Sequence, residues 1–299
     1  MSGGRVAAAA ATAALVGAVA WGVGFERHWY ALRRERLTLL RTTGCLRVLL
    51  FTDLHYVPGQ RRRLDWVRRV VDATDPDLLV SGGDLLEDGA GIDDVVALHA
   101  DLLDAGRVGV ALLGAHDFYA PTFLNPARYL LGPSPSRPRS PRFDTGRLVA
   151  GLRAGGWRVM ENARATVPTR NGLGVDVAAL GDPHVDRDDP WAFGWEAPRV
   201  PVALRLGLVH APYRRSLERF DAAGFDLALA GHTHGGQLCV PGFGALVSNS
   251  DLPPALARGT SPVFSDLLLH VSAGLGHSRY APMRFACRPE ATLLEIVPR

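Results

Sequence analysis

The 299-residue chain contains no lysine: all 33 of its basic residues are arginine. That absence reflects a GC-rich coding sequence rather than a particular chemistry. Cysteine is scarce. Cys45, Cys239 and Cys287 are odd in number and far apart. This spacing excludes a disulfide framework and a CxxC zinc pattern, and it fits a reducing compartment. Neither sign of charge is in excess: against 30 acidic residues the formal net charge is +3, so no nucleic-acid partner is expected. No internal repeat occurs, and no interdomain linker follows residue 45. The composition, 47% apolar and 21% charged, is that of an ordinary globular protein with a sizeable core.

One stretch lacks charge altogether. Val6–Phe25, VAAAAATAALVGAVAWGVGF, is twenty residues long, enough for a helix to cross about 30 Å of hydrocarbon. Nine of the twenty are alanine, so its hydrophobicity is weak. A single membrane anchor is the first expectation. A cleaved signal peptide ending near Ala18–Ala20, which would make the protein secreted, and a disordered alanine-rich tail are the alternatives. Arg5 precedes the stretch, while Arg27, Arg33, Arg34, Arg36 and Arg41 follow it. The positive-inside tendency then places the rest of the chain on the cytoplasmic face. Residues 1–45 are thus expected to be an anchor or signal followed by a basic juxtamembrane helix, able to lie on an anionic surface, with 46–299 as the folded domain.

Beyond residue 45, apolar runs alternate with helical patterns. LRVLLFT, DLLVSGG and VGVALLG read as buried strands, and RRRLDWVRRVVDAT and DDVVALHADLLDA between them as helices. His99, in the second helix, is expected to be a packing or surface residue. Gly132–Gly146, rich in proline, serine and arginine, breaks the pattern as a loop excursion. A short helix, RLVAGLRAGG, follows. WRVM, VDVAALG, LRLGLVH, DLALAGH, LLLHVSAG and ATLLEIV then read as further strands. The fold class expected is α/β: two packed mixed β-sheets flanked by helices.

Five of these apolar runs finish in histidine or aspartate. Asp53 and His55 follow the first, Asp84 the second, and His116 and Asp117 the third; His210 follows LRLGLV, and His232 and His234 follow DLALAG. Singly, each has a plain explanation as a cap, a turn former or a packing residue. Together they require five coincidences, because residues at the carboxyl ends of neighbouring strands converge on one crevice. Imidazole with carboxylate suits manganese, iron, zinc or cobalt. Such a set in one crevice matches two ions, which can clamp a phosphoryl group and its attacking oxygen in line.

Asp53-Leu54-His55, Gly83–Asp88 (GDLLED), Gly114–Asp117 (GAHD), Val209–Pro212 (VHAP) and Gly231–Gln237 (GHTHGGQ) resemble, in order and spacing, the motif series of the calcineurin-like metallophosphoesterases. GHTHGGQLCVPGFG and Arg284–Glu290 (RFACRPE) resemble a bacterial, often membrane-anchored branch similar to enzymes that hydrolyse the pyrophosphate of UDP-diacylglucosamine. The resemblance implies the metallophosphoesterase sandwich and two divalent ions. Asp53, His55 and His234 would bind the first, Asp84 would bridge, and His210 and His232 would bind the second. A metal-bridging hydroxide would attack a phosphodiester, phosphomonoester or pyrophosphate, with a lipid-linked substrate suggested by the anchor. His116 would stabilise the transferring group or protonate the leaving oxygen, and Asp117 would orient its imidazole.

Ala115 departs from the family pattern, which has asparagine there as a second-metal ligand. Three consequences are open: a weaker second site with water in that place; another oxygen reaching in, with Asn125 and Asn162 as candidates; or a mononuclear or inactive metal-binding scaffold. Several residues are assigned lesser parts. Gln237 would bond a ligand carbonyl or only its own loop. Arg128, Arg137 and Arg139, in the wider excursion Phe118–Gly146, would bind anionic groups of the substrate or remain solvated. Asp182 or His184 would border the crevice. Glu87 would stand behind the ligands or begin a helix, and His270 and His277 would be structural.

Overall fold

The computed structural model describes residues 3–103, 106–123, 141–196, 198 and 200–299. Two six-stranded sheets carry the domain. The first has strand order β1 (Ala31–Leu40), β14 (Glu290–Pro298), β2 (Leu46–Phe51), β3 (Leu78–Ser81), β4 (Gly109–Ala111) and β5 (Arg158–Val159). The second runs β12 (Gly259–Pro262), β13 (Leu268–Val271), β9 (Leu227–Ala230), β8 (Leu204–Leu208), β7 (Gly174–Ala179) and β6 (Ala163–Pro168), while β10 (Cys239–Val240) and β11 (Gly244–Ala245) pair as a separate ribbon. Both are mixed: β2 to β5 are parallel, as are β7, β8, β9 and β13, while β14 is antiparallel to β2 and β6 and β12 are antiparallel to their neighbours.

Strand alternation sorts each run between two cores, because successive side chains point to opposite faces. In β2, Val48 and Leu50 join Leu206, Leu208 and Leu229 between the sheets. Leu49 and Phe51 face helices α2 (Arg61–Thr74) and α3 (Ile92–Leu102), meeting Val67, Val71, Val95 and Leu98. On the far side, Leu217 and Phe220 of α6 (Arg214–Ala222) cover Ala228 and Leu269 of the second sheet. The remaining helices are α1 (Gly3–Gly24), the single turn α4 (Ala115–Phe118) and α5 (Thr145–Ala154).

The apolar N-terminal stretch is helical, and Gly4–His28 is long and apolar enough to cross a membrane. The basic helix expected after it is not formed. Residues 31–40 are instead β1, paired in parallel with β14 from Ala31↔Glu290 to Leu40↔Pro298, so the first sheet begins ahead of residue 46. A partner some 250 residues away decided this, overriding the local helical reading of an arginine-rich segment.

Candidate functional site

The parallel strands β2, β3, β4, β8 and β9 end toward one crevice, and each delivers its residues by an abrupt turn. Asp53, His55, Asp84, His232 and His234 all have left-handed backbones, with φ between 41 and 66°. That region costs a non-glycine residue on the order of 1 kcal/mol or more, and it persists where surrounding structure enforces it. Here the enforcement is a lattice of main-chain bonds. Asp53 N–H donates to Gly83 O at 2.9 Å, His55 N–H to Asp84 O at 3.0 Å, and Gly231 N–H to His210 O at 2.9 Å.

The side chains are close together and all but the partly buried His234 are buried. His210 Nε2 lies 3.3 Å from Asp84 Oδ2, and His55 Nε2 lies 3.6 Å from the same oxygen. Asp53 Oδ1 is 3.8 Å from His234 Nε2 and 4.0 Å from both His55 Nε2 and His210 Nε2. Two donor atoms each about 2.1 Å from one ion stand at most about 4.2 Å apart, so these separations fit shared ions. Asp53, His55 and His234 form one group able to hold an ion, and Asp84, His210 and His232 another. His55, Asp84 and His116 make a third group across the middle. His55 Nε2 and His210 Nε2 are buried without any hydrogen-bond partner, as nitrogens reserved for a ligand would be.

The opposite edge of each ring is tied down. His210 Nδ1 donates to Gly82 O at 2.8 Å, and His232 Nε2 to Asn249 O at 3.0 Å, which turns His232 Nδ1 toward the site. Asp84 Oδ1 accepts from His116 N–H at 2.8 Å, leaving Oδ2 for the two imidazoles. Asp53 accepts from His232 N–H at 3.1 Å and Thr52 Oγ1 at 2.9 Å. Burial lowers the pKa of His210, yet Asp84, Asp182 and Asp53 together raise it well above its usual value. The field at this point of the crevice therefore favours a positive charge.

Asp117 does not occupy the position expected of it. Its Oδ1 accepts from Leu85 N–H at 2.8 Å and Leu86 N–H at 3.2 Å, and its Oδ2 from Gly114 N–H at 2.9 Å. It fastens the β3 loop to the β4 loop. The carboxylate beside the His116 ring is Glu87, with Oε2 at 3.2 Å from His116 Nδ1 and 2.8 Å from His55 Nδ1. Burial alone would raise the Glu87 carboxyl; hydrogen bonds to His116 and His55 outweigh it and hold the group well below the carboxylate range. The second Glu87 oxygen accepts from Ser278 Oγ at 3.1 Å and Arg279 N–H at 2.6 Å.

Sequence reasoning missed two buried arginines. Arg284, with 0% exposure, donates to Ala273 O at 2.7 Å and Gly276 O at 2.6 Å, and its Nη2 lies 3.1 Å from His234 Nδ1. Arg63, 2% exposed, donates to the carbonyls of Leu54 and His55. The Arg284–Glu290 motif held the first signal; nothing in the arginine-rich helix α2 singled out the second. Gly274, at φ 66°, passes so close to Asp53 that a Cβ would stand 2.6 Å from the Asp53 Cβ. Gln237 bonds its surroundings, donating to the carbonyls of Ala281 and Met283.

Asn162 is committed elsewhere: its Oδ1 accepts from Gly181 N–H at 2.8 Å and Asp189 N–H at 2.9 Å. His184 packs against His232 with ring centroids 4.4 Å apart and ring planes inclined by 48°, and, with Thr233 and Asn249, it lines a cavity of about 440 Å³ over the site. His270, buried, bridges Thr260 and Thr292; His277 and His99 are buried too. The feet of the excursion are joined, Phe143 N–H donating to Phe118 O at 2.9 Å. Asn125, Arg128, Arg137 and Arg139 lie outside the described residues.

Comparison with known proteins agrees with this geometry. A family model for calcineurin-like phosphoesterases matches residues 46–236. The chain is 28% identical to Phosphodiesterase YaeI of Escherichia coli (strain K12) over 96% of this chain and 97% of that one. It is 31% identical to the uncharacterized metallophosphoesterase YkuE of Bacillus subtilis (strain 168) over 48% of each. An uncharacterized metallophosphoesterase of Aquifex aeolicus (strain VF5) is 25% identical over 93% of this chain and 97% of its own. The matched segment runs from β2 through the turn that carries His232 and His234, and so contains every clustered histidine and aspartate described above: the chain belongs to the calcineurin-like phosphoesterase family of dinuclear metal-dependent hydrolases.

Proposed function

We propose that the protein hydrolyses a phosphodiester or a phosphoanhydride with two divalent ions, manganese being the first to test. Asp53, His55 and His234 would hold one ion and His210 and His232 the other, with Asp84 between the two groups. The observation that carries this reading is the Asp84 carboxylate, whose Oδ2 stands 3.6 Å from His55 Nε2 and 3.3 Å from His210 Nε2 at the junction of the two groups. Ions held there supply Lewis-acid stabilisation of phosphoryl charge and an activated water at neutral pH. His116, in the cavity wall and paired with Glu87, donates to the developing charge on the leaving oxygen.

The finer reading is a lipid-linked phosphate or pyrophosphate at a membrane. Leu246, Val247, Pro282 and Met283 give the cavity an apolar part of its lining. That part is attached to the end of α1. Arg284 N–H donates to Gly22 O at 3.3 Å, and Glu26 accepts from Cys287 N–H at 2.6 Å and Ala286 N–H at 3.1 Å. Trp21, Phe25 and Trp29 cluster at the same end, as aromatic residues do at a membrane interface. We read α1 as an anchor, the body on the cytoplasmic face, and β1 with residues 46–299 as the catalytic domain.

Manganese-dependent hydrolysis of an aryl phosphodiester tests the chemistry. Wild type is expected to turn over, Asp84→Ala to fall to background, and His116→Ala to lose about 10²–10⁴-fold in kcat. If all three are equally inert across metals and phosphate esters, the scaffold reading suggested by Ala115 prevails. In mixed micelles, an acylated nucleotide pyrophosphate is expected to give a higher kcat/KM than the same headgroup without chains. Equal values would remove the lipid from the proposal.

A further inference from the structure

Charged residues stop just past the last clustered histidine. From Gly235 to Ser250 the chain has no acidic residue, arginine or histidine. Within this stretch lies the β10–β11 ribbon, which pairs Cys239 with Ala245 and Val240 with Gly244. Leu238, Val240, Phe243 and Leu246 are exposed on it, Phe243 to 78%. Single exposed apolar residues are ordinary; four on one short ribbon mark a surface made for contact.

The ribbon holds a fixed shape. Phe243 N–H donates to Val240 O at 3.0 Å, closing a four-residue turn with Pro241 second and Gly242, at φ 80°, third. Proline presets one torsion and glycine accepts the positive one, so Phe243 leaves the ribbon from a defined turn. The other end of the ribbon is fastened to the site. Gly236, two residues past His234, passes so close that a Cβ would stand 2.3 Å from the Ala245 Cβ. Cys239 N–H donates to Phe285 O at 2.9 Å, and Phe285 N–H to Gln237 O at 3.0 Å.

What the ribbon is joined to indicates what it meets. Phe285 follows Arg284, whose N–H reaches Gly22 O in α1, and a Cβ at Gly22 would meet Met283 Cγ at 2.9 Å. Trp21, Phe25 and Trp29 are exposed at that end of the helix. Leu238 and Leu246 of the ribbon line the cavity together with Tyr280 and Met283. Phe123, also exposed, meets the Tyr280 ring edge-on with centroids 5.7 Å apart. The helix end, the cavity rim and the ribbon are thus joined in series, and each presents apolar side chains to the outside.

We propose that the β10–β11 ribbon is a second membrane contact, with Val240 and Phe243 entering the headgroup–acyl boundary of the bilayer that α1 crosses. Apolar side chains gain there by leaving water, and a ribbon without charge has none to desolvate. The contact sets the cavity rim at the level of the headgroups. The proposal rests on the reading of α1 as an anchor.

Full-length protein in phosphatidylcholine vesicles, with and without brominated acyl chains, tests both and keeps them apart. Bromine quenches tryptophan fluorescence on contact, and each added tryptophan is read as the difference from wild type. Leu15→Trp, on the exposed surface of α1, reports the anchor. Phe243→Trp is expected to add emission that is blue-shifted and quenched by the brominated chains, as that of Leu15→Trp is. Quenching at Leu15→Trp without quenching at Phe243→Trp overturns the ribbon contact alone. In that case blue-shifted emission from Phe243→Trp assigns the ribbon to a protein surface, and emission as in water leaves it in solvent. Quenching at neither position overturns the anchor, and the ribbon contact falls with it.

Discussion

The two halves of the site use the same side-chain types but rest on different supports. Around His55 and His234 the supports are charged: Glu87 on His55, Arg284 against His234, and Arg63 under the carbonyls of Leu54 and His55. Around Asp84, His210 and His232 they are main-chain groups: His116 N–H, Gly82 O and Asn249 O. Main-chain supports neither titrate nor swing once the sheet is formed. Two of the charged supports, Glu87 and Arg284, are held by the segment 273–284, through Ser278, Arg279 and the carbonyls that Arg284 grips. The first half therefore depends on the C-terminal segment, and the second on main-chain groups at the strand ends and in the loop carrying Asn249.

The sharpest way to break this contrast is Arg284→Met. The carbonyls of Ala273 and Gly276 lose their buried donor, and a stability loss of roughly 2–4 kcal/mol is expected from urea unfolding. Manganese binding should weaken at the first site and persist at the second; equal loss at both would show the halves to share one support. Glu87→Gln comes next. It should lower kcat about 10–100-fold, the range seen when partners behind metal ligands are changed. The alkaline limb of its pH–rate profile should move to lower pH, because a neutral amide no longer favours the imidazolium of His116. An unmoved limb would separate Glu87 from proton transfer. The smallest effect is expected of Ala115→Asn, which adds a side-chain oxygen on the β4 loop: manganese affinity should rise at the second site and stay unchanged at the first, and an unchanged second site would show that a side chain at 115 does not reach that ion.

Much of this was legible because the ligands stand where apolar runs end, and a run buried on both faces is visible in a single sequence. The α/β class and the convergence of Asp53, His55, Asp84, His116, His210, His232 and His234 follow from that pattern. What escaped reading depends on contacts between distant segments. β1 looks like a basic helix until β14 is beside it. Asp117 follows His116 in the chain, yet its carboxylate reaches backward to Leu85 and Leu86, while Glu87, from another loop, meets the imidazole. Arg284 could be noticed in its motif, but its task exists only where segments 234–237 and 273–276 meet.

The β1–β14 ladder also sets an order of events during synthesis. The strand next to the apolar helix emerges early, and its parallel neighbour begins only at residue 290. Until then β1 has no partner, Glu26 has no Cys287 or Ala286 amide to hold, and Arg284 has not reached the His234 turn. A ribosome still making the last strand thus carries a nascent chain whose first strand is unpaired. Closing the ladder and completing the active site are one late step, and a C-terminal truncation that removes β14 should leave neither.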